Sequence, residues 1–139
     1  MKKKIAIVNG VNLKMLGTRE VNIYGSLDFE SYFASLQEKY RVCELSYHQS
    51  DSVEGIVEAL YASQNCDAII LNPGAYTHTS IVLADAVKSI STKIIEVHIS
   101  NLFGREEYRK RSWITAACHG SISGFGLKGY DMAILSILI

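Results

Sequence analysis

Apolar runs and amphipathic stretches alternate along the whole chain. KIAIVN (Lys4–Asn9) is a continuous apolar run of the kind that forms a strand covered on both faces. After a long gap, LDFESYFASLQEKY places Phe29, Phe33 and Leu36 at helical spacing, with Ser26 positioned as a cap. RVCELSYHQ alternates with a period of two and predicts a second strand. SVEGIVEALYASQ returns to the helical pattern through Val53, Ile56, Val57 and Leu60. DAIILN and TKIIEVH predict two further buried strands, with SIVLADAVKSI as a helix between them. HGSISGFG is a weaker last strand, and YDMAILSILI a last helix.

Five strands alternating with at least four helices predict an α/β fold, a parallel sheet with helices on both faces. Right-handed crossovers then favour a doubly wound, flavodoxin-like five-stranded sheet in the order 2-1-3-4-5. The chain has 139 residues and no linker, repeat or low-complexity tract, which fits a single domain spanning residues 1–139.

Composition narrows the function classes. Lys plus Arg and Asp plus Glu number 14 each, so no basic surplus points to a nucleic-acid partner. The locally basic EEYRKRS reads as a solvated helix or loop. Three widely separated cysteines, Cys43, Cys66 and Cys118, form no disulfide framework, which fits a reducing, cytoplasmic location. The apolar run after the initial lysines covers only Ile5 to Val8, too short for an export signal, and no segment is long enough to span a membrane.

In open α/β sheets ligands bind beyond the carboxyl ends of the strands. The segments expected there hold most of the chemistry: Asn9, Asn12, Arg19 and Tyr24 after strand 1, and Asn72, Tyr76 and His78 after strand 3. Glu96, His98, Ser100, Arg105 and Arg109 lie in or after strand 4. Glu96 and His98 are two apart, so a strand turns both to one face. An imidazole beside a carboxylate is oriented for general acid–base work and favoured in its protonated form. The bland alternative is a polar strand end with local partners.

Residues 10–26 show no strand or helix period and are punctuated by Gly10, Gly17 and Gly25, the mark of a functional loop. Tyr24 within it would serve as a base only if its pKa fell by about 3 units, roughly 4 kcal/mol. One cation about 4 Å away at an effective dielectric near 20 supplies an interaction of that size. Arg19, Arg105 and Arg109 are candidates. In NPGAYTHTS, Pro73-Gly74 is turn chemistry, and Thr77 or Thr79 is placed to cap the next helix, whose amides would favour an anionic group. GFGLKG matches a dinucleotide-binding glycine pattern, but lacks the βαβ continuation and later acidic residue. Its glycines are expected to permit a tight turn and close helix packing. His48, His78, His98 and His119 form no metal-binding motif, and neither a nucleophile elbow nor a P-loop is present.

Taken in order, NGVNLKMLGTREVNIYG, NPGAYTHTS, EVHISNLFGREEYRKRS and GFGLKGY resemble the successive motifs of type II 3-dehydroquinate dehydratase over nearly the whole chain. The resemblance implies a hydro-lyase of the shikimate pathway that converts 3-dehydroquinate to 3-dehydroshikimate without metal, cofactor or Schiff base. It implies Tyr24 as a tyrosinate base, Arg19 and Arg105 as the arginines beside it, and His98 as the general acid oriented by Glu96. Asn12 would hold a water near the enolate oxygen. Asn72, His78 and Arg109 would contact ring hydroxyls, and Ile99 and Ser100 the substrate carboxylate. Asp85 would reach a neighbouring subunit's site in a dodecamer of trimers. Departures from the family pattern are Val11 for a usual Pro, Phe103-Gly104 for His-Ala, Trp113 for Tyr, and His48 for a frequent Arg. Two other readings compete: an FMN- or phosphate-binding flavodoxin-like module, and a catalytically dead relative retained for assembly.

Overall fold

The structure is a computed structural model that describes residues 1–10 and 28–139. Val11, Asn12, Arg19, Tyr24 and Ser26 lie outside the described residues. Five parallel strands, β1 (Lys3–Asn9), β2 (Cys43–Gln49), β3 (Ala68–Asn72), β4 (Lys93–His98) and β5 (Gly120–Ser123), form one sheet in the order β2-β1-β3-β4-β5. This is the doubly wound order that the alternation predicts. Among the described residues, α1 (Phe29–Lys39), α2 (Val53–Ala62) and α3 (Ile81–Ser89) connect successive strands, and α4 (Lys128–Leu138) follows β5.

The period of two along each strand divides the core between the faces. Ile5, Ile7, Ala68, Ile70, Ile95 and Val97 pack with Phe29, Leu36, Tyr130 and Ile134 of α1 and α4. Ala6, Val8, Ile69, Leu71 and Ile94 pack with Ile56, Leu60, Leu83 and Val87 of α2 and α3. Because both faces are covered, β1, β3 and β4 read as nearly unbroken apolar runs rather than alternating ones. Asp131 fastens α4 to α1, accepting from the Tyr40 hydroxyl at 2.7 Å, from Lys39 Nζ at 2.9 Å and from the Tyr32 hydroxyl.

Two caps differ from expectation. α1 begins at Phe29, and its N-cap is Asp28, whose carboxylate accepts from the Ser31 amide at 2.8 Å. α3 is capped by Ser80, whose hydroxyl accepts from the Leu83 amide at 3.0 Å, and not by Thr77 or Thr79. The reason is a 3-10 turn over Gly74–His78: Thr79 closes it by donating to the Tyr76 carbonyl, so Ser80 is the residue with the extended backbone a cap requires. The segment after β4 forms 3-10 turns at Leu102–Gly104, Glu107–Lys110 and Thr115–Ala117. Among the described residues no helix is long and apolar enough to cross a membrane.

Candidate active site

Register places polar residues of four strands at one end of the sheet. Asn9 is opposite Asn72 across β1 and β3, and His98 is opposite Ser123 across β4 and β5. Glu96 and His98 fall on the face of β4 that carries Ile94, towards α3, while Asn9 and Asn72 fall on the opposite face, towards α4.

Glu96 has no solvent exposure. Its Oε2 accepts from His98 Nε2 at 3.0 Å, with the Thr77 hydroxyl 3.4 Å from both atoms. Its Oε1 accepts from the Thr115 hydroxyl at 2.5 Å and the Ser121 hydroxyl at 3.2 Å. Burial pushes the carboxyl pKa up, yet the hydrogen bond and charge of His98, with the Thr115 and Ser121 hydroxyls, outweigh it and hold Glu96 below its ordinary value. Pairing through Nε2 leaves Nδ1 as the nitrogen able to exchange a proton with a ligand. The arrangement can therefore present a fixed imidazole, backed by a carboxylate, as a proton donor.

His78 stacks on His98 with ring centroids 6.4 Å apart. Its Nδ1 lies 2.5 Å from the Arg111 carbonyl, which can only accept, so Nδ1 carries the proton and Nε2 the lone pair. That Nε2 is buried and has no hydrogen-bond partner among the described residues. Burial lowers the His78 pKa, and the nearby His98 and Arg109 charges act in the same direction against the Arg111 carbonyl. The turn bearing His78 is clamped by Trp113, whose amide donates to the Thr77 carbonyl at 2.9 Å and whose indole donates to the His78 carbonyl at 3.1 Å.

Ile99 is buried, and its carbonyl accepts from the Gly126 amide at 3.0 Å. The Ser100 hydroxyl accepts from Arg105 Nη1 at 3.1 Å. Arg109 Nε donates to Glu106 at 2.7 Å, and Arg105 Nε lies 3.6 Å from the same carboxylate. Asp85 is exposed on α3. Tyr76 points elsewhere, donating to the Asp51 carbonyl at 2.6 Å before α2. Asn12, Arg19 and Tyr24 lie outside the described residues. Among the described residues no cluster of three His, Cys, Asp or Glu is placed to hold a metal ion.

Four hydroxyls escaped the sequence reading of the site. Thr77 reads from sequence only as one of two candidate helix caps, and Thr115 and Ser121 carry no motif or periodic signal. Tyr130, in an apolar helix, has the spacing of a core residue. It is wholly buried, donates to Asn9 Oδ1 at 2.8 Å and accepts from Asn72 Nδ2 at 2.9 Å.

Comparison with known proteins agrees with the motif resemblance. Residues 3–138 match the family described as dehydroquinase class II. The chain is 45% identical to a 3-dehydroquinate dehydratase of Caldicellulosiruptor saccharolyticus over 97% of this chain and 96% of that one. It is 44% identical to one of Actinobacillus pleuropneumoniae, over 95% and 88% respectively. The crystal structure of a type II dehydroquinase from Butyrivibrio crossotus superposes with a TM-score of 0.95 at 42% identity, covering 99% of both chains. That from Propionibacterium acnes gives 0.94 at 37% identity, over 99% of this chain and 97% of that one. A family match from β1 to α4, on the same fold and with the same ordered motifs, leaves one assignment: this chain belongs to the class II dehydroquinase family and is an enzyme of the hydro-lyase kind.

Proposed function

We propose that the chain, acting as a single domain over residues 1–139, removes water from 3-dehydroquinate to give 3-dehydroshikimate through an enolate. The observation that carries this reading is the buried Glu96–His98 pair at the carboxyl end of β4. A phenolate oxygen on Tyr24 takes the C2 proton, and the electron pair moves onto the carbonyl oxygen as an enolate. When the carbonyl re-forms, the C1–O bond breaks and the departing hydroxyl takes the proton of His98, leaving as water. Tyr24 is then protonated and His98 neutral, and exchange with solvent restores both.

The remaining roles follow the motifs. Arg19 and Arg105 favour the Tyr24 phenolate by their charge. Asn12 holds a water against the enolate oxygen, where developing charge is stabilised. Asn72, His78 and Arg109 bind ring hydroxyls; the lone pair of His78 Nε2, without a partner among the described residues, is suited to accept one. Backbone amides at Ile99 and Ser100 receive the carboxylate. Asp85, exposed on α3, serves the site of a neighbouring subunit in a cytoplasmic dodecamer of trimers, with no nucleic acid, membrane or cofactor involved.

The test is an ultraviolet assay of purified protein with 3-dehydroquinate, following the conjugated enone of the product. Prompt growth without added metal, surviving borohydride treatment in the presence of substrate, is the expected result. No growth from folded protein overturns the reading and favours a binding module. Light scattering after size-exclusion chromatography checks the dodecamer independently.

A further inference from the structure

The hydrogen bonds around Tyr130 have one consistent direction. The Gly74 amide donates to Asn72 Oδ1 at 3.1 Å, which fixes that atom as the carboxamide oxygen. Asn72 Nδ2 must then face Tyr130, and it does so at 2.9 Å, so the phenol oxygen accepts there. The single phenol proton is left for Asn9 Oδ1, 2.8 Å away. Asn9 Nδ2 consequently faces away from Tyr130. A backbone amide in the turn after β3 thus sets the orientation of a side chain at the end of β1, through one hydroxyl from α4.

The last glycine-rich motif is built to deliver that hydroxyl. The Gly124 and Gly126 amides hook onto the His98 and Ile99 carbonyls, and both glycines have positive φ, 95° and 62°. α4 starts immediately afterwards and approaches β4 closely at Gly129, where a Cβ would lie 3.1 Å from Val97 Cγ1. Tyr130 is carried into the core against Phe29, ring centroids 4.8 Å apart, with its hydroxyl beneath the strand ends. A phenol needing only burial would have no reason to reach two asparagines at the functional end of the sheet.

We propose that Tyr130 is a positioning residue for the reaction, holding the Asn72 and Asn9 carboxamides in the one orientation that presents Asn72 to the substrate. The inference rests on the reading of Asn72 as a substrate contact given above. With one Nδ2 proton committed to Tyr130 and one Oδ1 lone pair to Gly74, Asn72 has a single proton and a single lone pair to offer a ring hydroxyl. Without the phenol oxygen the amide is free to rock about its terminal torsion, which is intrinsically soft.

Tyr130→Phe removes only the hydroxyl. The expected result is a folded protein whose kcat/KM falls by about tenfold, the scale of one lost positioning hydrogen bond. In an Asn72→Ala background the same substitution should change kcat/KM by less than about twofold, because residues acting through one contact are not additive. Unchanged kinetics with a lowered Tm, or equal losses in both backgrounds, would overturn the proposal and leave Tyr130 a packing residue. Should Tyr130→Phe fail to fold, hydrogen exchange of the wild-type Asn72 side-chain amide decides the matter: slow exchange supports the network, and exchange as fast as the exposed Asn101 amide overturns it. A wild-type protein inactive on 3-dehydroquinate defeats the functional reading instead, and the exchange measurement still reports on the network by itself.

Discussion

The Thr115 hydroxyl reaches from an exposed turn to donate, at 2.5 Å, to Oε1 of Glu96, a residue with no solvent exposure. A buried carboxylate persists only when its lone pairs are occupied. Here His98 holds one oxygen, and Thr115 and Ser121 hold the other. Glu96 is thereby ionised below its ordinary value of 4.5. A folded pKa below the unfolded one gives stability that is full above the ordinary carboxylate range and lost as pH falls through the lower, folded value.

Thr115→Val, nearly isosteric, should therefore raise the folded pKa of Glu96 and move the acid limb of the stability profile to higher pH. At neutral pH the loss should be about 1–3 kcal/mol, the scale of a hydrogen bond to a charged group. Urea unfolding at a series of pH values between neutrality and the acid limb measures both. An acid limb that stays in place would show that Thr115 does not stabilise the carboxylate.

Glu96→Gln keeps the shape of the side chain and removes its charge. The imidazolium form of His98 then loses its counter-ion, and proton donation suffers more than binding. We expect kcat to fall by about 10²-fold or more, the usual contribution of a positioned acid, with KM changed much less. Steady-state kinetics separates the two, and an equal change in both would mean that Glu96 serves binding instead.

Tyr24→Phe should nearly abolish turnover, by about 10²- to 10⁴-fold, while leaving ligand binding largely intact. Calorimetric titration with a non-reacting substrate analogue beside the turnover assay makes the distinction. Near-normal turnover would remove Tyr24 from the role of base.

Asp131→Asn probes the fold without touching the chemistry. The carboxylate receives Tyr32, Tyr40 and Lys39, and burial alone would raise its pKa, but these three donors together hold it low. The amide can accept fewer of them, and a loss of about 1–3 kcal/mol is expected. Lys39 is largely exposed, so little of that comes from its charge. Thermal melts should show the drop while kcat and KM stay at wild-type values.

Much of this was legible in sequence because the signals were local. Nearly unbroken apolar runs predict β1, β3 and β4, and the two-residue spacing of Glu96 and His98 places them on one face. What stayed hidden depends on distance through the chain. Ser80 rather than Thr77 caps α3 because a 3-10 turn intervenes, and no propensity distinguishes a threonine in that turn from one at a cap. Thr115 and Ser121 are 19 and 25 residues from Glu96, and no periodic pattern connects an exposed turn and an edge strand to a buried carboxylate. Tyr130 lies 121 residues from Asn9, on a helix whose pattern announces only core.

That last separation sets an order of events in folding. β1 and β3 can pair through their own backbones, but their terminal asparagines remain without a shared partner until α4 docks. Contacts between such distant residues form late, since the entropy of closing the intervening chain must be met first. On an elongating chain emerging from the ribosome, a sheet of four strands can therefore exist before the Asn9 and Asn72 carboxamides are oriented. On the proposed role of Asn72, recognition of substrate would then wait for the last helix, however native-like the sheet already is.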